Sequence, residues 1–101
     1  MSYLIKVHKT YRSVVAVCDE EIIGKNYEEG QKVLQVPESF YKGEIIATEK
    51  ELMELLVDLA AEDSTFNIAG KRSVDAAIKA GLVNKKGVGT VQGIPFALIL
   101  L

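Results

Sequence analysis

The sequence of 101 residues has a single cysteine, a single histidine and no tryptophan. One cysteine excludes a disulfide within the chain, which is typical of an intracellular protein, and we expect a cytoplasmic one. One cysteine and one histidine also cannot supply the ligands of a Cys/His zinc site within one chain. The sequence therefore predicts no zinc site of this kind, and we expect neither a metal nor a cofactor.

Long apolar runs are also missing. The longest, Ile94–Leu101, is far shorter than the roughly 20 residues that a membrane-spanning helix needs. Ser2–Val7 alternates with charge and lacks the apolar core of a secretory signal. With 49% apolar and 26% charged residues, the composition is that of a globular chain. Its length predicts one domain, residues 1–101, and we expect no membrane among its partners.

A large excess of one charge is missing as well, since the formal net charge is −2. This near balance of charge argues against a protein that coats nucleic acid in general. The distribution along the chain is uneven, with a net charge of +3 over residues 1–18, −9 over residues 19–63 and +4 over residues 64–101. If the fold brings the two basic ends together they form one basic patch, and otherwise both are merely solvated.

Alternation of apolar and polar residues predicts two strands at the start of the chain, Leu4–His8 and Ser13–Cys18, joined by a polar turn at Lys9–Arg12. In the first strand, Lys6 and His8 face away from the apolar side. The second strand is apolar on both faces and predicts a central strand. Further extended segments are predicted at Lys32–Val36, Glu44–Ala47 and Val91–Leu101.

Two helices are predicted. The first begins at Thr48, which can form a capping box with Glu51 and is followed by an apolar stripe and an acidic face. The second runs from Lys71 or Ser73 to Ala80. Together these elements predict an α+β fold, a small mostly antiparallel sheet of three to five strands with two helices packed on it. A helix between distant strands would make one strand pair parallel.

A glycine turn, two cations and a helix start come together in the segment from Asn67 to Ser73. Free backbone N–H groups at a helix start bind anions, and Lys71 and Arg72 can add charge-assisted bonds to a phosphate. A phosphate loop would also need a glycine where Thr65 stands, which disfavours a nucleotide-hydrolysing site. The alternative is a strain-relieving glycine with solvated cations. The candidate anion-binding residues are Asn67, Gly70, Lys71, Arg72 and Ser73.

A second candidate surface combines aromatic and basic residues. The loop Ser39–Gly43 places Phe40 and Tyr41 beside Lys42, and rings next to cations stack on single-stranded bases. The alternative is that one ring packs inward and anchors the loop. With the basic first segment, the candidate nucleic-acid contacts are Lys6, Lys9, Arg12, Tyr41 and Lys42.

No nucleophile in the chain has a matched base, so we predict no catalytic residues and favour a protein that is not an enzyme. Cys18 precedes three acids, which disfavour a thiolate, and we expect a buried structural thiol. The acids Asp19–Glu21 could hold a hard cation through their oxygens, although solvated carboxylates are the simpler interpretation. His8 lacks a neighbouring aspartate or serine and is expected at the surface.

Four segments of the chain carry a resemblance to a known family. They are Cys18–Lys25, Ser39–Glu44, Asn67–Gly70 continuing to Gly81–Val83, and Gly93–Pro95. Together these segments resemble the archaeal domain-of-unknown-function 424 family. The resemblance implies a small archaeal cytoplasmic protein without an established activity, in translation or ribosome-assembly surroundings. The family often has a histidine where Phe96 stands here, so a role that needs an imidazole at that position is not expected.

We therefore predict a non-catalytic RNA- or ribonucleoprotein-associated binding module in a translation context. The alternative is a protein-interaction subunit that uses its acidic helix, Glu49–Asp63, and its apolar C-terminal strand. The six apolar residues Phe96–Leu101 could pair across a two-fold axis and make a homodimer. A third hypothesis is an enzyme acting on a small phosphate compound or nucleotide at Gly70.

Overall fold

The computed structural model of the protein describes residues 1–100. Its strands are β1 (Tyr3–His8), β2 (Ser13–Asp19), β3 (Asn26–Glu29), β4 (Lys32–Gln35), β5 (Glu44–Ile46), β6 (Ser64–Ala69), β7 (Gly89–Val91) and β8 (Ile94–Leu100). Its helices are α1 (Glu38–Tyr41), α2 (Glu49–Ala60) and α3 (Lys71–Lys79), and 3₁₀ turns cover Glu20–Ile22 and Lys85–Gly87. The predicted mixture of helices and strands is confirmed, but the prediction of three to five strands and two helices is wrong because the structure has more of each.

Six strands form one sheet in the order β5–β1–β2–β6–β8–β7, and β3 and β4 form a separate two-stranded sheet. Neighbours in the large sheet are antiparallel except β2 and β6, which are parallel. Between β2 and β6 the chain crosses through the hairpin, α1, β5 and α2 before it returns in the same direction. The predicted mostly antiparallel sheet with one parallel pair is therefore confirmed.

β6 lies inside the sheet, where the sequence predicts only the end of a helix and a turn at Asn67. Phe66 and Ile68 belong to the apolar cluster under the helices, so Thr65 and Asn67 lie on the other face. This alternation has the period of a strand, but serine, threonine and asparagine are also frequent in turns. The prediction of a turn is wrong because β2 and β8 pair with both edges of this segment.

The two longer helices, α2 and α3, cover one face of the sheet. Phe66 of β6, Leu52 and Leu56 of α2 and Val74 of α3 belong to one buried apolar cluster. Burying each of these side chains stabilises the fold by roughly 1.5–3 kcal/mol. α2 begins at the predicted cap, where the Thr48 hydroxyl accepts the backbone N–H of Glu51 at 3.2 Å. Among residues 1–100, no helix is long and apolar enough to cross a membrane.

The opposite face of the sheet is covered over only part of its area. Leu4 and Cys18 form a second buried cluster with Leu34 of the β3–β4 hairpin and Tyr41 of α1. The rest of this face carries two rows of side chains that run across the strands. These side chains are partly or fully exposed, except for the buried Ala16. The rows contain His8, Val14, Thr65 and Leu100, and Lys6, Ala16, Asn67 and Leu98. We call these eight residues the open face.

Candidate functional site

The start of α3 is capped by a carboxylate of the chain itself. Asp19, at the end of β2, accepts the backbone N–H of Ser73 at 2.7 Å and the Ser73 hydroxyl at 2.6 Å through Oδ1. Its Oδ2 accepts the backbone N–H of Arg72 at 3.1 Å. Gly70 turns the chain into α3 with a φ of 106°, and a Cβ there would lie 2.5 Å from Asp19 Cγ. The anion at this helix start is therefore internal.

The guanidinium of Arg72 is also held inside the molecule. Its Nε and Nη2 donate to the two carboxylate oxygens of Glu21, at 3.0 and 2.5 Å. Nη1 donates to the Met1 carbonyl at 3.2 Å and Nη2 to the Ser2 carbonyl at 2.9 Å. The group lies 4.7 Å from the centre of the Tyr3 ring, a cation–π contact. Arg72 thus ties α3 to the beginning of β1.

This pairing affects the titration of both groups. The hydrogen bond from Arg72 holds the pKa of Glu21 below its usual range, and the same bond raises the pKa of Arg72. Asp19 and Glu21, interpreted from the sequence as solvated acids or cation ligands, are both engaged with α3. We call Asp19, Glu21, Gly70, Arg72 and Ser73 the locked end of the sheet.

The residues predicted to bind an anion are consequently spread over different environments. Gly70, Arg72 and Ser73 belong to the locked end, whereas Asn67 lies on the open face of β6. Lys71 is exposed, and no hydrogen bond or ion pair of its side chain is found within residues 1–100. Lys71 is therefore the member of this set whose charge is available to a ligand, and anion binding at the start of α3 stays a prediction.

At the other end of β1, the loop Ser39–Gly43 and the first strand come together. The His8 ring stacks on Phe40, with 4.7 Å between the ring centres and 17° between the planes. His8 Nε2 is 2.8 Å from the Phe40 carbonyl oxygen, and Lys6 Nζ donates to the Ser39 carbonyl at 3.0 Å. A Cβ on Gly43 would come within 2.2 Å of the Ile5 carbonyl oxygen, so only glycine allows this approach.

Tyr41 is the inward anchor of this loop. It is 6% exposed, and burial, with a smaller effect of Cys18, raises the pKa of its hydroxyl to about 12. The alternative interpretation of the aromatic pair is thus confirmed for Tyr41, whose ring does not offer a surface for stacking on a base. Lys42, the next residue, is exposed beside β1.

The turn between β1 and β2 carries a functional candidate that the sequence analysis missed. Tyr11 is fully exposed, at 104%, and it stands between Lys9 and Arg12. Arg12 Nη2 forms an ion pair with Asp63 at 2.7 Å, and the Thr10 hydroxyl donates to the Arg12 carbonyl. A tyrosine between two cations in a predicted turn was the available signal. We call Lys6, Lys9, Tyr11, Arg12 and Lys42 the turn end of the sheet.

Arg72 lies apart from the cations of the turn between β1 and β2. It contacts the start of β1 at Ser2 and Tyr3, whereas Lys9 and Arg12 follow His8, the last residue of β1. Five steps along a strand at about 3.3 Å each separate Tyr3 from His8 by about 17 Å. The length of β1 therefore keeps Arg72 apart from Lys9 and Arg12.

The environment of Cys18 is set by its burial and by two neighbouring acids. Cys18 is buried, as predicted, and burial, followed by the charges of Asp19 and Glu21, raises its pKa to about 12. Within residues 1–100, no group of three or more His, Cys, Asp or Glu side chains is placed to hold a metal ion.

Comparison with known proteins identifies a family and a similar fold. A family model described as a protein of unknown function (DUF424) matches residues 7–101. The crystal structure of an uncharacterized conserved protein from Methanopyrus kandleri is similar, with a TM-score of 0.86 and 21% identity, covering 98% of this chain and 90% of that chain. At this identity the similarity shows the fold alone. A search of curated proteins finds no match.

Proposed function

The chain belongs to the DUF424 family of proteins of unknown function, and we propose that it is a non-catalytic module that binds RNA or a ribonucleoprotein through its turn end. The observation that carries this proposal is the contact of the loop Ser39–Gly43, which includes Lys42, with Lys6 and His8 of β1. His8 is followed by the turn that carries Lys9 and Arg12. These cations come from two separate segments that the sequence alone could not join. Lysine and arginine side chains that neutralise phosphates supply most of the affinity of such surfaces.

The cations of the turn end differ in how far they are engaged. Lys9 and Lys42 are exposed, whereas Arg12 is paired with Asp63. Lys6 uses one donor on the Ser39 carbonyl, and an ammonium group has further donors for a phosphate. The proposed surface therefore depends most on Lys9 and Lys42. Arg72 is left out of it because Glu21 already holds its guanidinium.

The resemblance to a family in translation surroundings directs the choice of ligand toward ribosomal or transfer RNA. If all four cations contact phosphates of a single strand, the logarithm of the affinity should fall with the logarithm of the salt concentration with a slope of about 3. This is a modest slope, which fits a chain with a net charge of −2.

The test is fluorescence anisotropy with a labelled RNA of about 12 nucleotides, titrated at several KCl concentrations. We expect the double variant Lys9→Ala/Lys42→Ala to lose about tenfold in affinity and to lower the salt slope by about 1.4. The matched control is Lys50→Ala/Lys86→Ala, which removes the same charge from exposed lysines outside the turn end. Absence of binding by the wild type, or an equal loss in both double variants, would contradict the proposal.

A second candidate function is a protein-interaction subunit, and an edge of the sheet favours it. β7 pairs with only Ile94–Phe96 of β8, so within residues 1–100 the outer edge of Ala97–Leu100 has no strand beside it. Leu98 and Leu100 are 59% and 72% exposed on the open face. An apolar edge without a charged side chain readily pairs with another strand. We propose that a second copy supplies it, antiparallel across a two-fold axis.

Light scattering after size exclusion tests the homodimer. We expect a dimer that Leu98→Lys converts to monomer, while Val33→Lys, an equally exposed valine of β4, leaves it intact. A wild type that stays monomeric at every concentration would contradict this second function. Binding to a basic partner protein would instead depend on Glu54 and Asp58, on the acidic face of α2.

A further inference from the structure

We propose that Tyr11 stacks on an unpaired base, so that the ligand of the turn end is single-stranded RNA. This inference rests on the proposed function and narrows its ligand. The four tyrosines of the chain differ sharply in exposure. Tyr3 and Tyr41 are buried at 5% and 6%, Tyr27 packs partly against the second cluster, and Tyr11 is exposed at 104%. Tyr11 buries none of its ring in the fold.

The turn around Tyr11 is held by contacts that do not involve its side chain. β1 and β2 pair up to His8 and Val14, which fixes both ends of the turn. Inside it, the Thr10 hydroxyl donates to the Arg12 carbonyl, and Arg12 is paired with Asp63. These contacts restrict the backbone that presents Tyr11, which lowers the entropy lost on binding.

The neighbours of Tyr11 suit a nucleotide better than an apolar ligand. Lys9 is exposed two residues before it, and Arg12 follows it directly. An aromatic ring between cations can stack on a base while the cations contact the flanking phosphates. In a duplex the faces of the bases are covered by their neighbours, so a protruding ring finds no base to stack on. A single strand, a loop or an overhanging end supplies both groups.

The experiment compares Tyr11→Ala and Tyr11→Phe with the wild type, using a labelled single-stranded RNA and a blunt duplex of the same sequence. We expect Tyr11→Ala to lose about tenfold in affinity for the single strand. Tyr11→Phe keeps the ring and should stay within about twofold. The wild type should prefer the single strand over the duplex, and Tyr11→Ala should remove most of that preference.

A direct readout of stacking comes from Tyr11→Trp, because the chain has no other tryptophan. Stacking on a base should quench its fluorescence on addition of the single strand and leave it unchanged on addition of the duplex. If Tyr11→Ala binds the single strand as tightly as the wild type does, or if the wild type prefers the duplex, this inference is wrong. The proposed function would still stand if Lys9→Ala/Lys42→Ala weakened that same binding, so the two failures are distinguishable.

Discussion

Each end of the central sheet contains part of a basic segment of the sequence, but the cations of the two ends are used differently. At the locked end, Arg72 makes four hydrogen bonds to Glu21, Met1 and Ser2. At the turn end, Lys9, Lys42 and the ring of Tyr11 are exposed. The comparison teaches that a basic motif at a helix start is not by itself a ligand site. A buried carboxylate from elsewhere in the chain can take the place of the ligand.

Substitution of Asp19 should have the largest effect on this comparison. Asp19→Ala removes a buried carboxylate that accepts three hydrogen bonds from the start of α3. We expect the free energy of unfolding to fall by about 3 kcal/mol, because bonds to a charged group are strong and their buried donors lose a partner. Urea unfolding measures this as a lower midpoint with an unchanged slope.

Gly70→Ala provides the matched test of the same contact. The new Cβ would meet Asp19 Cγ at 2.5 Å in a backbone with a φ of 106°, so the variant should lose about 2 kcal/mol or more. In the Asp19→Ala background the steric part disappears and only the backbone strain remains, so the two losses should not add. A fully additive pair, or a loss below about 1 kcal/mol for Asp19→Ala, would show that the end is not locked.

The next largest difference in stability is expected between Arg72→Ala at the locked end and Lys9→Ala at the turn end. Arg72→Ala removes contacts to Glu21, two backbone carbonyls and the Tyr3 ring, and we expect a loss of about 1–2 kcal/mol in stability. Lys9→Ala at the turn end should change stability by less than about 0.5 kcal/mol, because an exposed cation contributes little to folding. Thermal or urea unfolding of both variants compares them, and equal losses would remove the distinction between the ends.

An effect smaller than that of Asp19→Ala or Gly70→Ala is a pH dependence at Cys18, beside the locked end. Burial raises the pKa of the Cys18 thiol to about 12 in the folded chain, whereas an exposed thiol ionises near 8.5. The protonated thiol is favoured by folding, so its contribution is fully present below pH of about 8.5 and is lost as the pH rises toward the folded value. Between neutral pH and a pH of about 9.5, we expect the wild type to lose about 1 kcal/mol more than Cys18→Ala does.

Unfolding curves at the two pH values measure this difference, with Tyr41 unchanged in both proteins. An equal pH dependence of the wild type and Cys18→Ala would mean that the thiol ionises in the folded chain as it does in the unfolded one. A thiol reagent gives a second readout, since Cys18 should react at alkaline pH only after unfolding.

Elements with strong local signals could be predicted from the sequence. α2 begins at its Thr48 cap and buries its leucine stripe as the spacing indicates, and β1 and β2 follow the predicted strands to within one residue. β6 is not predicted from the sequence because its polar residues lie on the open face. Its apolar residues are too few to show a clear alternating pattern. Its place in the sheet depends on pairing with β2 and β8, which no local pattern reports.

The candidate site was predictable only in part. Lys6, Lys9 and Lys42 were named from charge and from neighbouring aromatics, and the fold brings the two segments to one end through the contacts of His8 with Phe40 and of Lys6 with Ser39. Tyr41 and Tyr11 have similar neighbours in the sequence, since each stands beside a basic residue. Tyr41 is buried because α1 turns it toward Cys18 and Leu34. The ring of Tyr11, by contrast, is covered by no side chain among residues 1–100.

Local features followed from the order of the residues alone: the cap and stripe of α2, the first two strands and the buried thiol. Helix caps and apolar periods act over a few residues, so they can be read in order along the chain. Which charges are internal and which face solvent depends on the packing of distant segments. Asp19 and Ser73 are separated by 54 residues, and a hydrogen bond across such a distance in sequence forms only when β2 and α3 are brought to the same edge of the sheet.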